Sequence, residues 1–326
     1  MYRKIMGFLE AWKESEHRKP LILQGARQVG KTYSILEFGR THYENVAYFN
    51  FETNPKLNET FEENISPDYL IPILSHIAGQ TIVKEKTLIV FDEVQLCERA
   101  LTSLKYFCEN APDYHIIVAG SLLGVAVNRA KFSFPVGKVD MKTLYPMDME
   151  EFMLALGEDD LVEQIKKCFQ TDTPLPSALH DAAMQLYRQY LVVGGMPECV
   201  MQFAETKDYI LVRHTQDTIL ASYLNDMSKY NNLNEIKKTR LAYDNITVQL
   251  SKKNTRFQYK LIKKGGRASE FENAIEWLCL SGIVSQVYKV EQIKKPLENY
   301  RDIDAFKIYV SDLGLLCAKK DLAAND

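Results

Sequence analysis

The chain has 326 residues, 46% of them hydrophobic and 25% charged. At about 150 residues per domain that length predicts roughly two domains, each apolar enough for its own core, and it excludes a disordered tail or a small disulfide scaffold. Lys and Arg number 40 against 43 Asp and Glu, a formal net charge of -3, so no overall positive field collects nucleic acid and any basic footprint must be local.

The opening segment MYRKIMGFLEAWKESEHRKP lacks the apolar core of a signal peptide. The longest nearly apolar stretch, 116–127, is interrupted by Gly120, Ser121 and Gly124 and falls far below the roughly 20 residues that cross a bilayer. No membrane association is expected. Cys97, Cys108, Cys168, Cys199, Cys279 and Cys317 are scattered, with no paired spacing, and read as buried apolar residues of a reduced, cytoplasmic protein.

From residue 20 to 150, short apolar runs alternate with helix-length polar segments, the pattern of a parallel sheet covered by helices. Strands are expected at 21–24, 46–51, 88–91, 116–119 and 139–144, and helices at 33–40, 58–63, 69–77 and 100–110. The runs LILQ, LIVF and IIVA are continuous rather than alternating, as strands buried on both faces require. After Pro146, apolar residues recur at three- and four-residue steps over 149–156, 161–169 and 179–193, predicting helices. From about Asn234 a third unit is expected, two or three helices followed by paired strands at 283–290 and 306–310. Ser269 and Glu272 have capping-box spacing ahead of Phe271, Ala274, Ile275 and Leu278. Helices followed by a two-stranded wing suggest a winged helix. The expected fold is α/β, a P-loop three-layer core over 1–150, a helical lid over 151–230 and a winged-helix-like domain over 231–326.

Gly25, Ala26, Arg27, Gln28, Val29, Gly30, Lys31 and Thr32 form G-x-x-x-x-G-K-T between an apolar strand and a segment, starting at Tyr33, that can begin a helix. Glycines let backbone N–H groups turn inward around a phosphate, and the helix amide end adds positive potential. Lys31 would supply a point charge to the β- and γ-phosphates of a nucleotide, and the Thr32 hydroxyl would ligate magnesium. The strand 88–91 runs into Asp92 and Glu93. Ligands of open parallel sheets bind at that carboxyl edge. Asp92 would hold the magnesium, and Glu93 would polarise an attacking water as general base.

The expected strand at 46–51 falls between the two motifs, which suggests a core with an extra strand between them. Ser121, after IIVA, either senses or positions the water at the γ-phosphate or simply caps a helix. Gln95 either contacts the water or a partner, or is a solvated polar residue.

Taken together, GARQVGKT, FNFE, FDEVQ, AGSLLGVA, SFPVGKV and LYPMDMEEF, in that order, resemble a family of predicted prokaryotic AAA-type ATPases that join an AAA domain to a domain of unknown function. The resemblance implies an AAA core, a helical lid and a winged helix, with ATP and magnesium as ligands and assembly into homo-oligomers as a common habit. It matches Gly194-Gly195-Met196-Pro197 to an element that relatives place against the adenine, making Pro197 a candidate contact. The alternative is a helix stop at the glycines and Pro at the next helix start. Many relatives carry Arg where SFPVGKV has Lys138; Arg129 is the nearest substitute. The resemblance also implies that longer members continue past IYVSDLGLL into a nuclease-like region, so this chain reads as a shorter or truncated one.

A local basic patch runs through Lys252, Lys253, Arg256, Lys260, Lys263, Lys264 and Arg267, with Phe257 and Tyr259 between, as phosphate-backbone binding to DNA would want. Against it, Glu270, Glu272 and Glu276 line the helix expected to read a groove. Contact with DNA and a merely solvated surface both stand as readings. Asp226 with Glu235-Ile236-Lys237 imitates a nuclease constellation in a helical context, and the six histidines show no zinc or triad spacing. The expected function is magnesium-dependent ATP hydrolysis coupled to a conformational change. The alternative is a nucleotide-regulated switch, on DNA or protein, with little turnover.

Overall fold

The computed structural model describes residues 1–120, 135–229, 233–252 and 256–322. They form two compact units, Arg3–Tyr145 and Pro146–Asp326 together with Met1–Tyr2.

The first unit opens on α1 (Ile5–Lys13) and continues as β1 (Leu21–Gln24), α2 (Lys31–His42), β2 (Asn45–Asn50), α3 (Lys56–Glu63), α4 (Pro67–Ala78), β3 (Thr87–Asp92), α5 (Glu98–Asn110), β4 (His115–Ala119) and β5 (Asp140–Thr143). The strands are all parallel, in the order β2-β3-β4-β1-β5. Every expected strand is present, and β3 and β4 are buried along their whole length and β1 along most of it. Only continuous apolar runs satisfy that environment. The order seats β4 between β1 and β3, so the carboxyl ends of the strands before the glycine loop and before Asp92 flank that of β4. Phe51, Phe61 and Phe91 pack with ring centroids 5.5 to 5.8 Å apart beneath this edge. Each ring buried this way contributes about 2–3 kcal/mol. Helix α1, which strand-and-helix alternation did not anticipate, buries Ile5, Leu9 and Trp12, spaced on one helical face.

The second unit holds α6 (Met149–Ala155), α7 (Asp159–Gln170), α8 (Ser177–Val193), α9 (Pro197–Thr206), α10 (Tyr209–Lys229), α11 (Leu233–Leu250), α12 (Ala268–Leu280), the antiparallel pair β6 (Val284–Val290) and β7 (Arg301–Val310), and α13 (Leu313–Lys319). A capping box opens α6, where Asp148 accepts from the Glu151 N–H at 2.9 Å and Glu151 accepts from the Asp148 N–H at 3.1 Å. The expected box at Ser269 and Glu272 is absent. Helix α12 starts at Ala268 with Arg267 at its N-cap and no side-chain cap, so Ser269 lies inside the first turn, past the position from which a hydroxyl can cap. Phe271, Ala274, Ile275 and Leu278 do form its buried face.

Between α8 and α9 the chain makes a close backbone crossing. Gly194 has φ 76°, and a Cβ on Gly195 would stand 1.9 Å from the Met147 carbonyl oxygen. Asp312 closes the same junction from the start of α13, accepting from the Gly195 N–H at 2.6 Å and the Leu315 N–H at 2.8 Å. Among the described residues no helix is long and apolar enough to cross a membrane.

Candidate functional site

β1 ends at Gln24, and the chain turns at once through Gly25 (φ 148°) toward Gly30 (φ 89°), the left-handed N-cap of α2. A Cβ on Gly25 would lie 2.2 Å from the Leu144 carbonyl oxygen, so glycine alone fits beside the segment leaving β5. Ala26 and Val29 face inward, Gln28 (φ 65°) is exposed, Arg27 is half-buried, and Tyr33 points to solvent. Lys31 Nζ donates to the Gly25 and Ala26 carbonyls at 2.9 and 2.8 Å, which holds the ammonium within its own loop. Burial lowers its pKa to about 8, against the pull of the Glu93 and Asp92 carboxylates.

Asp92, at the end of β3, is 5% exposed. Its Oδ2 accepts from the Thr32 hydroxyl at 2.9 Å and from the Tyr48 phenol at 2.7 Å, and its Oδ1 accepts from the Glu93 N–H at 3.0 Å. The register of β2 on β3 pairs Asn50 with Asp92 and Tyr48 with Val90, which sets the phenol within reach of the carboxylate. Burial pushes the Tyr48 pKa up to about 12; a hydrogen bond from Asn50 opposes this and one to Asp92 adds to it. Glu93 is half-buried with φ 52°, a backbone region that costs a side-chain-bearing residue of order 1–3 kcal/mol. That turn brings its carboxylate to the Gln95 side-chain amide, which donates to it.

The structure thus assembles Gly25–Thr32, Asp92 and Glu93 on one edge of the sheet. Two further residues belong to that edge. Tyr48 is one. The other is Arg3, which is 4% exposed and donates to the Val29 carbonyl at 2.9 Å and the Tyr145 carbonyl at 2.8 Å, bracing the loop from behind. The only sequence signal for Arg3 is a cation ahead of an amphipathic segment. For Tyr48 it is a polar ring in a strand. Ser121 and Arg129 lie outside the described residues. Lys138 pairs with Glu109 at 2.9 Å, so its ammonium is engaged on α5. Pro197 opens α9 in the second unit, after the left-handed Gly194; an adenine role for it rests on the resemblance alone.

Of the basic patch, Lys252, Arg256, Lys260, Lys263, Lys264 and Arg267 are exposed, and Lys253 lies outside the described residues. Arg256 donates to the Asp304 carbonyl at 2.8 Å, and Lys263 stands 3.4 Å from Glu270. Phe257 is not available to stack on a base: it is buried against Phe306, ring centroids 5.5 Å apart. Arg256, Tyr259, Lys260 and Arg267 line a groove of about 630 Å³ together with Glu272 and Asp304. Asp226 and Glu235 sit on the helices α10 and α11, and among the described residues no cluster of His, Cys, Asp or Glu could hold a metal by itself.

A five-stranded parallel sheet in this order, with a glycine loop after β1 and an acidic pair after β3, defines a P-loop nucleoside triphosphatase fold of AAA type. Residues 17–153 match the family model of an AAA domain, and residues 184–326 match that of a domain of unknown function (DUF8612). A segment similar to AAA domains thus precedes one similar to an uncharacterised domain. Among solved structures the chain is similar to a Walker-type ATPase of Pyrococcus abyssi, with TM-score 0.59 and 13% identity over 98% of this chain and 95% of that one. The ORC2 protein of Aeropyrum pernix, in ADPNP and ADP complexes, gives TM-score 0.44 and 11% identity over 98% of this chain and 94% of that one. At such identities the likeness concerns the fold alone. No curated protein matches the chain.

Proposed function

We propose that the first unit binds ATP with magnesium and hydrolyses it. The observation that carries this reading is the contact of Thr32 Oγ1 with Asp92 Oδ2 at 2.9 Å beside a buried Lys31 ammonium. A hydroxyl and a carboxylate so placed suit a hard, oxygen-loving cation, and the inward-turned loop with its desolvated lysine suits the polyphosphate. Thr32 and Asp92 would hold the magnesium, whose charge would offset that of the phosphate oxygens. Lys31 exchanges its two carbonyl partners for phosphate oxygens. Glu93, the residue directly after Asp92, accepts a proton from the attacking water.

A turnover assay on Glu93→Gln and Lys31→Ala tests it. The first should keep ATP and lose hydrolysis; the second should lose the nucleotide. Normal ATP binding by Lys31→Ala would overturn the placement of the phosphates. Negligible turnover by the native chain, with ATP bound, would favour a nucleotide-regulated switch.

A second reading concerns the groove lined by Arg256, Lys260 and Arg267. With α11, α12 and the β6–β7 pair taken as a winged-helix-like module, this groove is the surface on which DNA would sit. Salt-dependent DNA affinity, weakened by Lys260→Ala and Arg267→Ala, is the expected result. The same site chemistry suits a cytoplasmic compartment, where ATP and magnesium are abundant.

A further inference from the structure

Glu93, the proposed base, does not stand alone. Its left-handed backbone starts a single tight turn, Val94–Leu96, closed by the Leu96 N–H on the Glu93 carbonyl at 3.0 Å and the Cys97 N–H on the Val94 carbonyl at 2.9 Å. Val94 and Cys97 are fully enclosed, so the turn is anchored in the core on both sides of Gln95. The Gln95 side chain reaches back two residues and donates from Nε2 to Glu93 Oε2. Its Oε1 is buried and accepts no hydrogen bond among the described residues.

We propose that Gln95 is the positioning residue for Glu93, its amide fixing the carboxylate in one rotamer while its oxygen offers an acceptor to the water that Glu93 polarises. This deepens the reading of the site as an ATPase and rests on it. A carboxylate on a two-methylene stem has many rotamers, and a general base must hold one to within hydrogen-bond reach of the proton it takes. The amide donor on Oε2 selects that rotamer. A buried, partnerless acceptor beside a base costs free energy unless a donor meets it, and a bound water has two to give. The left-handed φ at Glu93 fits the same device, since it is the backbone bend that lets residues two apart face each other.

The test uses the full chain with Gln95→Ala and the isosteric Gln95→Glu, each measured for ATP turnover, for affinity toward a fluorescent ATP analogue, and for thermal unfolding. Gln95→Ala should lower kcat about ten- to a hundred-fold while KM, nucleotide affinity and melting temperature hold. Gln95→Glu should lower it further, because the donor becomes a second carboxylate, and Gln95→Asn should not restore it, because its shorter stem cannot reach back. Unchanged kcat in Gln95→Ala and Gln95→Glu, or a fall matched by lost nucleotide affinity, would overturn the proposal while leaving the ATP site intact. Should Glu93→Gln itself turn over ATP at the native rate, the base is misassigned and the reading beneath the proposal falls with it.

Discussion

Asp312 and Gly195 meet through a 2.6 Å hydrogen bond from the Gly195 N–H to Asp312 Oδ2, although 117 residues separate them in the chain. Asp312 Oδ1 meanwhile caps α13 at the Leu315 N–H, 2.8 Å away. One carboxylate therefore satisfies two buried donors on different elements, and each glycine beside it is held by a close approach: a Cβ on Gly194 would stand 2.3 Å from Asp312 Oδ1. The motifs GGMP, SDLGLL and LYPMD, which look unrelated along the chain, converge on this junction.

Asp312→Asn should destabilise the chain by about 2 kcal/mol, because an amide has a single acceptor oxygen and turns an NH2 group against one of the two N–H donors. Gly195→Ala should cost more, at least about 3 kcal/mol, since its Cβ meets backbone. Urea unfolding of both variants checks the pair. Equal stability of Asp312→Asn and the native chain would remove the carboxylate's structural role.

The Lys31 ammonium, with its pKa lowered to about 8 by burial, would serve the proposed phosphate only while protonated. Its charged fraction falls as pH rises through about 8, and a bound polyanion draws the proton back. ATP affinity should therefore weaken above that pH, and binding near pH 8.5 should take up a proton. Calorimetry in buffers of different ionisation heat reads the uptake directly.

His115 is buried between Trp12 and Tyr43, accepting or donating at 2.7 Å to the Tyr43 hydroxyl. Burial, with Arg18 and Lys13 nearby, lowers its pKa from 6.5 to about 4. A depressed imidazole means that the unfolded chain binds the extra proton first. Stability from this residue is thus complete above pH 6.5 and is lost as pH falls toward 4, by on the order of 2–3 kcal/mol. His115→Phe should flatten that slope in unfolding free energies taken from pH 4 to 7.

Gly25→Ala should abolish nucleotide binding while leaving most of the fold. The added Cβ meets the Leu144 carbonyl oxygen at 2.2 Å, and the loop can escape only by moving away from the strand end that positions it. Retained affinity for ATP in this variant would show that the loop tolerates displacement.

Much of the sheet edge that carries the glycine loop was legible because its signals are local. LILQ, LIVF and IIVA are apolar throughout, and burial on both faces leaves such runs few alternatives to a central strand; the glycine loop and the acid pair lie directly beside those strands. Helix α1 lies outside the strand-and-helix alternation that marks the core, although Ile5, Leu9 and Trp12 share a helical face. The Ser269 capping box failed because the spacing of a motif does not fix where the first helical turn begins.

The sequence alone determined the glycine loop after β1, the acid pair after β3 and the parallel core that carries them. Tertiary structure decided that Tyr48 serves Asp92, that Arg3 braces Val29, that Phe257 is core rather than a stacking surface, and that Gly195 answers to Asp312. Those contacts depend on strand order, register and the meeting of distant backbone segments, and a pattern confined to neighbouring residues carries no information about which far part of the chain will arrive opposite.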